Sequence, residues 1–224
     1  ASGYLLNLVN DVLDMNKLES GNIQLERKHF NLLEVLHNTN EIIRVQANES
    51  GVNYYVEDGE IIHTQLIGSP VHFQQILMNI GSNAVKYNQD GGSVTVSCRE
   101  VSYTDTTAEY ELTCTDTGIG MSEEFQKKAF EPFAQEGQSA RTKYAGTGLG
   151  LAIAKKLIEL QGGTLFFESI QGKGTKFILR IPFEISAEEQ EKKSHMYQNC
   201  SVEGVQVLLV EDNELNMEIA EFLL

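Results

Sequence analysis

Gln75, Asn79, Asn83 and Lys86 follow one another at intervals of four, four and three residues, which puts them on one face of a helix. Phe73, Ile76, Leu77, Ile80 and Ala84 form the apolar face of the same stretch. An asparagine carboxamide oxygen is a hard ligand suited to Mg²⁺, which takes few protein ligands and completes its shell with phosphate oxygens and water. Lys86, at the end of the stripe, is placed to meet a phosphate oxygen. A solvated polar face would show the same spacing, so the stripe alone does not decide. Asp116 offers a different chemistry. Leu112, Cys114 and Asp116 share parity in a strand-like run, so the carboxylate should point into the layer that buries the other two. Buried carboxylates are costly without a partner, and an ionised acceptor suits an amine donor such as that of adenine. Gly118 and Gly120 would let the backbone turn tightly beside a flat ring. The alternative is an aspartate that caps a helix near residues 121–128.

Two more glycine turns follow. Gly146, Thr147, Gly148, Leu149 and Gly150 precede a helical pattern, and successive N–H groups there could form an anion nest at a helix N-terminus. No Gly-Lys-Ser/Thr follows, so this is not a phosphate loop of the Walker type. A long loop replaces the strand that a dinucleotide fingerprint requires, which leaves a packing turn as the plain alternative. Gly172-Lys173-Gly174-Thr175 reads by itself as a hairpin connection.

The elements that must position these residues can be read from periodicity. Leu5, Leu6, Val9, Val12 and Leu13 give residues 1–18 one helical apolar stripe, which a lone helix cannot bury, so a partner helix is implied. Asn31 is a plausible N-cap for a helix to about Glu49. Short strand-like stretches lie near 52–56 and 61–67. Ser69-Pro70 reads as a helix start, with Ser69 as cap, for a helix to about Tyr87. Residues 93–103 and 108–115 read as strands, 134–147 as a mobile loop, 149–160 as helix, and 164–169 and 175–183 as a final strand pair. Residues 184–203 form a polar linker. An apolar run at 205–210 then ends in Glu211-Asp212-Asn213.

The chain has 224 residues and a formal charge of −15, with 41% hydrophobic and 22% charged residues, as expected of a soluble globular protein. That charge argues against nucleic acid or an anionic membrane as the main partner. It also requires local donors, a metal and a few placed cations wherever a polyanion binds. No apolar run reaches the length of a membrane span. The three cysteines, Cys98, Cys114 and Cys200, are far apart and odd in number, which fits reduced thiols. Cys98 and Cys114 sit in strand-like alternation, as small core residues would.

Taken in order, the motifs resemble those of the sensor histidine kinases of two-component systems. The run from Gln75 to Tyr87 resembles their N box. Asp116 to Met121 looks like the first glycine box, Phe130-Glu131-Pro132-Phe133 like the F box, Gly146 to Leu151 like the second glycine box, and Gly172 to Thr175 like a third. The resemblance implies an α+β fold of the Bergerat ATP-binding type: a two-layer α/β sandwich whose mixed, mostly antiparallel sheet is covered on one face by helices. It implies Mg²⁺ on Asn83, with Asn79 and Lys86 assisting. Asp116 would accept from the adenine amine, and Gly118, Ile119 and Gly120 would wall it. Residues 134–147 would be an ATP lid with Arg141 and Lys143 as phosphate contacts. Gly146, Thr147, Gly148, Leu149, Gly150 and Leu151 would hinge that lid and present amides, and Tyr87, Phe133 and Thr175 would complete the site.

The flanks resemble parts of the same family. Residues 1–27 look like the end of a dimerisation and histidine-phosphotransfer domain, 28–184 like the catalytic ATP-binding domain, 185–203 like a linker, and 204–224 like the start of a receiver domain. The implied parent is a homodimeric hybrid kinase whose partners are ATP, a dimerisation-domain histidine on the same or sister chain, and a receiver domain or response regulator. This part would be cytoplasmic. One departure matters: none of His29, His37, His63, His72 and His195 has the neighbours of the family's phosphoacceptor, so all five read as structural or surface residues. ATPase motors of the gyrase, chaperone or mismatch-repair kind resemble the chain less well, since Gln75 and Asn79 stand where their catalytic glutamate would. A module that senses ATP without transferring phosphate is the other alternative.

Overall fold

Strand β1 (Lys28–Asn31) passes into helix α1 (Leu32–Glu49) at Asn31, whose Oδ1 accepts from the backbone N–H of Leu33 at 2.8 Å and of Glu34 at 3.3 Å. The cap read from sequence is therefore formed. There follow β2 (Asn53–Glu57), β3 (Gln65–Gly68), α2 (Pro70–Lys86), β4 (Ser93–Tyr103), β5 (Thr107–Asp116), the short α3 (Glu123–Gln126), α4 (Gly150–Leu160), β6 (Thr164–Ile170) and β7 (Gly174–Ile185). The structure, a computed structural model, describes residues 9, 12–18, 20–21, 23–136 and 147–187. Arg141, Lys143, Gly146, His195 and the 204–224 segment lie outside the described residues.

The strands form one mixed sheet in the order β1-β3-β7-β5-β4-β2, and β6 also pairs with β7. All pairings are antiparallel except β2 with β4. Alternation sets the two faces. Ala108, Tyr110, Leu112, Cys114 and Asp116 of β5, and Phe177, Leu179, Ile181 and Phe183 of β7, are buried on the face that the helices cover. Helix α2 is the middle helix, touching both α1 and α4. Its Phe73 meets Phe183 edge to face at 5.2 Å, and Phe30 approaches the same ring at 5.2 Å from β1. The fold is thus the two-layer sandwich expected.

Three local expectations change. Residues 61–64 are not strand. The Glu100 carboxylate takes their donors instead: the N–H of Ile62 at 2.8 Å, the N–H of His63 at 2.9 Å and the His63 ring at 2.7 Å. Ser69 occupies the N-cap of α2 but makes no capping bond, because its hydroxyl pairs with His72 Nδ1 at 2.7 Å. Gln75, read on the same face as Asn79 and Asn83, donates to Asp14 Oδ2 at 2.9 Å. That bond belongs to an unexpected contact. Residues 12–18 are helical, and their Met15 and Leu18 are buried in the main core.

Candidate functional site: a nucleotide cavity

Helix α2 buries Ile76, Ile80 and Ala84 and so turns Asn79, Asn83 and Lys86 to its flank. There they border a cavity of about 480 Å³ together with Tyr87, Asp116, Ile119, Gly120, Thr147, Gly148, Gly150, Leu151 and Thr175. That size suits a small-molecule ligand. Most of the residues singled out from sequence therefore meet around one space. Gly118, Phe133 and Leu149 do not line it. Leu149 is fully buried in the core, and Phe133 is 61% exposed.

Asp116 Oδ1 accepts from the backbone N–H of Gly118 at 2.8 Å and of Thr175 at 3.2 Å. Oδ2 has no hydrogen bond among the described residues. The residue is only 8% exposed. Burial pushes its carboxyl up to about 6, against the opposing pull of the Gly118 and Thr175 amides. The alternative reading of Asp116 as a helix cap does not hold, because Ser122 caps α3, its Oγ accepting from Phe125 N–H at 3.2 Å.

The glycine turns that looked separate in sequence are packed on one another. Gly118 sits where a Cβ would fall 2.3 Å from the Tyr87 carbonyl oxygen, and Ile119 N–H donates to that oxygen at 3.0 Å. The first turn is thereby pinned to the end of α2. Gly172 N–H donates to Ile119 O at 2.7 Å, which ties the third turn to the first. Gly174, at φ 112, leaves no room for a side chain, since a Cβ would lie 2.0 Å from Asp116 O. The hairpin reading of residues 172–175 is correct but incomplete: the β6–β7 hairpin also positions Asp116.

The α4 end supplies polar hydrogens. Its N-cap, Leu149, makes no side-chain cap bond, so the first-turn N–H groups of an 11-residue helix lack that partner. Gly150 brings this turn close to α2, with a Cβ position 3.5 Å from Asn79 Oδ1. Asn79 Nδ2 is buried without a hydrogen-bond partner, and the Asn83 side chain has none among the described residues. An unpaired buried donor costs free energy until a ligand meets it. A phosphate oxygen would do so, and adenine's amine would in turn serve Asp116 Oδ2. The residues present thus fit ATP. Among the described residues no group of three His, Cys, Asp or Glu side chains could hold a metal, so a Mg²⁺ here would need the nucleotide's own phosphates beside an asparagine oxygen.

Sequence reading missed several walls. Gln46 reaches the cavity from α1, where its Oε1 accepts from Ser82 Oγ at 2.9 Å. Met78, Met121, Phe125, Ala129 and Phe177 supply apolar surface. Met78 and Met121 sit inside the runs that resemble the N box and the first glycine box, and Phe177 sits in the strand read at 175–183, but none of the three was singled out as a wall.

A two-layer sandwich with a cavity walled by an asparagine helix, an Asp-Gly turn and a glycine-flanked loop defines an ATP-binding domain of the Bergerat type. Residues 68–185 match the family of histidine kinase-, DNA gyrase B- and HSP90-like ATPases, and the chain belongs to that family. Among curated proteins, it is 33% identical over 216 residues to the autoinducer 2 sensor kinase/phosphatase LuxQ of Vibrio vulnificus, covering 95% of this chain and 25% of that protein. It is 36% identical over 189 residues to the hybrid signal transduction histidine kinase A of Dictyostelium discoideum, covering 82% of this chain and 9% of that protein. Among solved structures, full-length ShkA in complex with AMPPNP is similar at a TM-score of 0.68 and 28% identity, over 83% of this chain and 37% of that one. The chain therefore spans about a quarter or less of these curated relatives' length.

Proposed function

We propose that this chain is the catalytic part of a hybrid sensor histidine kinase, which binds Mg-ATP and offers the γ-phosphoryl group to a histidine on a dimerisation domain. The observation that carries this reading is the pairing of two unmet polar demands in one cavity: the Asn79 Nδ2 donor without a partner and the raised Asp116 carboxyl. A polyphosphate with an amine-bearing ring answers both. Asp116 orients the adenine amine, directly and through water. Asn83 Oδ1 holds the Mg²⁺ that offsets phosphate charge, Asn79 meets a phosphate oxygen, and Lys86 adds a cation on the same flank. The Gly148 and Gly150 amides and the α4 N-terminus contribute further donors, whereas the Leu149 N–H is donated to Thr147 Oγ1 at 3.2 Å. Arg141, Lys143 and Gly146 belong to the proposed lid. This chain's part in transfer is positioning and charge stabilisation.

The proposed organisation is a dimerisation-helix end at 1–27, the catalytic domain at 28–184, a linker at 185–203 and the start of a receiver domain at 204–224. Three of the described histidines are engaged with neighbours, His29 with Ser186, His63 with Glu100 and His72 with Ser69, and the fourth, His37, is exposed on α1 away from the nucleotide cavity lining. The histidine acceptor, a receiver partner and a homodimeric parent are parts of the same proposal. So is a cytoplasmic location. No helix among the described residues is long and apolar enough to cross a membrane.

Calorimetric titration with AMPPNP, with and without Mg²⁺, tests the site. Asn83→Ala is expected to weaken Mg-nucleotide binding more than about tenfold, roughly 1.4 kcal/mol; unchanged affinity would remove the metal assignment. Transfer of labelled phosphate to an added dimerisation domain separates a kinase from an ATP sensor. Steady hydrolysis without an acceptor would instead point to a motor.

A further inference from the structure

A second cavity, of about 310 Å³, lies on the other side of α2. Leu77, Ile80 and Gly81 line it, whereas Asn79, Ser82 and Asn83 of the same helix line the nucleotide cavity. Its inner walls are apolar: Leu36 and Ile43 from α1, and Leu112, Phe177 and Leu179 from the sheet. Cys98 and Cys114 also reach it, and burial pushes both thiols up to about 12, so they present neutral surface. The size is at the lower end of what small-molecule sites show.

The walls are built to stay apart. Gly59 lies so close to β4 that a Cβ would come 2.0 Å from the Cys98 carbonyl oxygen. Glu60 O accepts Glu100 N–H at 2.9 Å, and the buried Glu100 carboxylate holds Ile62 and His63 by their N–H groups. The segment following β2 is thereby strapped to the sheet. Across the opening, Tyr54 OH donates to Asn40 Oδ1 at 2.8 Å, joining β2 to α1.

Carboxylates outnumber cations at the rim, three to one. Glu41, Glu57 and Asp58 stand there with the exposed His37. Arg44 is the one arginine or lysine of the lining; it stands 3.3 Å from Glu41 and over the Tyr54 ring, and its buried Nε makes no hydrogen bond among the described residues. No ion pair among the described residues neutralises Glu57 or Asp58. An apolar interior excludes a polyanion such as a nucleotide, and a carboxylate rim repels an organic acid. We propose that this cavity is a second ligand site, which takes a small organic cation with its apolar ring between Leu36, Ile80 and Phe177 and its ammonium at Glu57 and Asp58.

Tryptamine and indole-3-propionate share a ring and differ in the sign of the tail charge, which makes them suitable probes. In the ¹⁵N-labelled chain, tryptamine is expected to shift the amides of Gly59, Gly81 and Cys98 and to bind at least about tenfold more tightly than indole-3-propionate. Reversing the exposed rim with E57K and D58K together should invert that preference without touching the core. Leu36→Trp should abolish tryptamine binding by filling the space, while the amide dispersion of its ¹⁵N spectrum reports whether the chain is still folded. The proposal is overturned by equal affinity for amine and acid, by an unchanged preference in the double variant, by tryptamine binding retained in L36W, or by the absence of shifts at Gly81 and Cys98 at millimolar tryptamine. Shifts confined to the Asn79 and Asp116 cavity would also overturn it. Failure of the nucleotide reading would leave this result untouched, since the amide positions distinguish the two sites.

Discussion

Asp116 carries a charge that the folded protein disfavours. Its carboxyl titrates at about 6 rather than 3.8 because burial outweighs the two amides on Oδ1. For an acid whose folded value is raised, stability is greatest below the unfolded value and declines as pH rises through the folded one. A shift of about two units corresponds to a cost of up to about 3 kcal/mol at neutral pH. We therefore expect Asp116→Asn to stabilise the nucleotide-free chain at neutral pH, with the gain shrinking as pH falls through 6 and gone near 4. Denaturant unfolding across that range measures it. The same substitution should weaken ATP binding and erase the preference for ATP over GTP. A variant more stable but less able to bind is the signature of a group kept for its ligand. Wild-type ATP affinity should likewise fall as pH drops through 6, because a protonated Asp116 accepts less well. Phe133 is a second strained position. Its φ of 62° is uncommon for an aromatic residue, and its exposure means that little burial offsets the strain. Phe133→Asn, which tolerates that conformation, is expected to add about 1 kcal/mol in the same unfolding assay.

Elements show which parts of this protein are readable from sequence. Asn31 as a cap, α2 with its asparagine flank, and the inward parity of Asp116 are all set by near neighbours, and the sequence displays them. Partners far apart along the chain were not legible. Nothing local joins Gln75 to Asp14, 61 residues away, or Glu100 to His63, 37 residues away. The expected strand at 61–64 failed for the same reason: backbone donors that a ladder would use are taken by a distant carboxylate. The glycine turns were legible as turns, but their stacking on the end of α2 is a tertiary fact. That strap should matter energetically. Glu100 is buried and serves two backbone donors and the His63 ring, so Glu100→Ala leaves several polar groups unmet in the interior. We expect a loss of about 3 kcal/mol or more. By contrast, on the outer sheet face Glu111 is bound by Arg99 and Arg180 across three strands. Hydrogen bonds from Arg99 and then Arg180 hold its carboxyl below the usual range. Its contribution is therefore present above the unfolded value and lost on further acidification, opposite in sign to that of Asp116.

At the scale of the whole molecule, the N-terminal helix has two apolar faces with different fates. Met15 and Leu18 are buried in the chain's own core, while Val9 and Leu13, four residues apart and so on one face, are 47% and 49% exposed. A helix with a second apolar stripe is expected to find another surface for it. Of the stripe read from residues 5–13, which implied a partner helix, Val12 packs against the core while Val9 and Leu13 stay exposed, and Leu5 and Leu6 lie outside the described residues. A second copy of this chain supplies an identical stripe, which suits an isologous contact. Charge works against that pairing: two copies at −15 each repel unless salt screens them. We therefore expect weak self-association whose constant rises between low and physiological ionic strength, measured by sedimentation equilibrium. Leu13→Lys places a cation on the apolar stripe and should lower the constant at least about tenfold, a loss of about 1.4 kcal/mol. AMPPNP binding should be unaffected, because neither Val9 nor Leu13 lines the nucleotide cavity. A profile that stays monomeric at every salt concentration, or an L13K variant that associates as well as wild type, would leave the exposed stripe without this role.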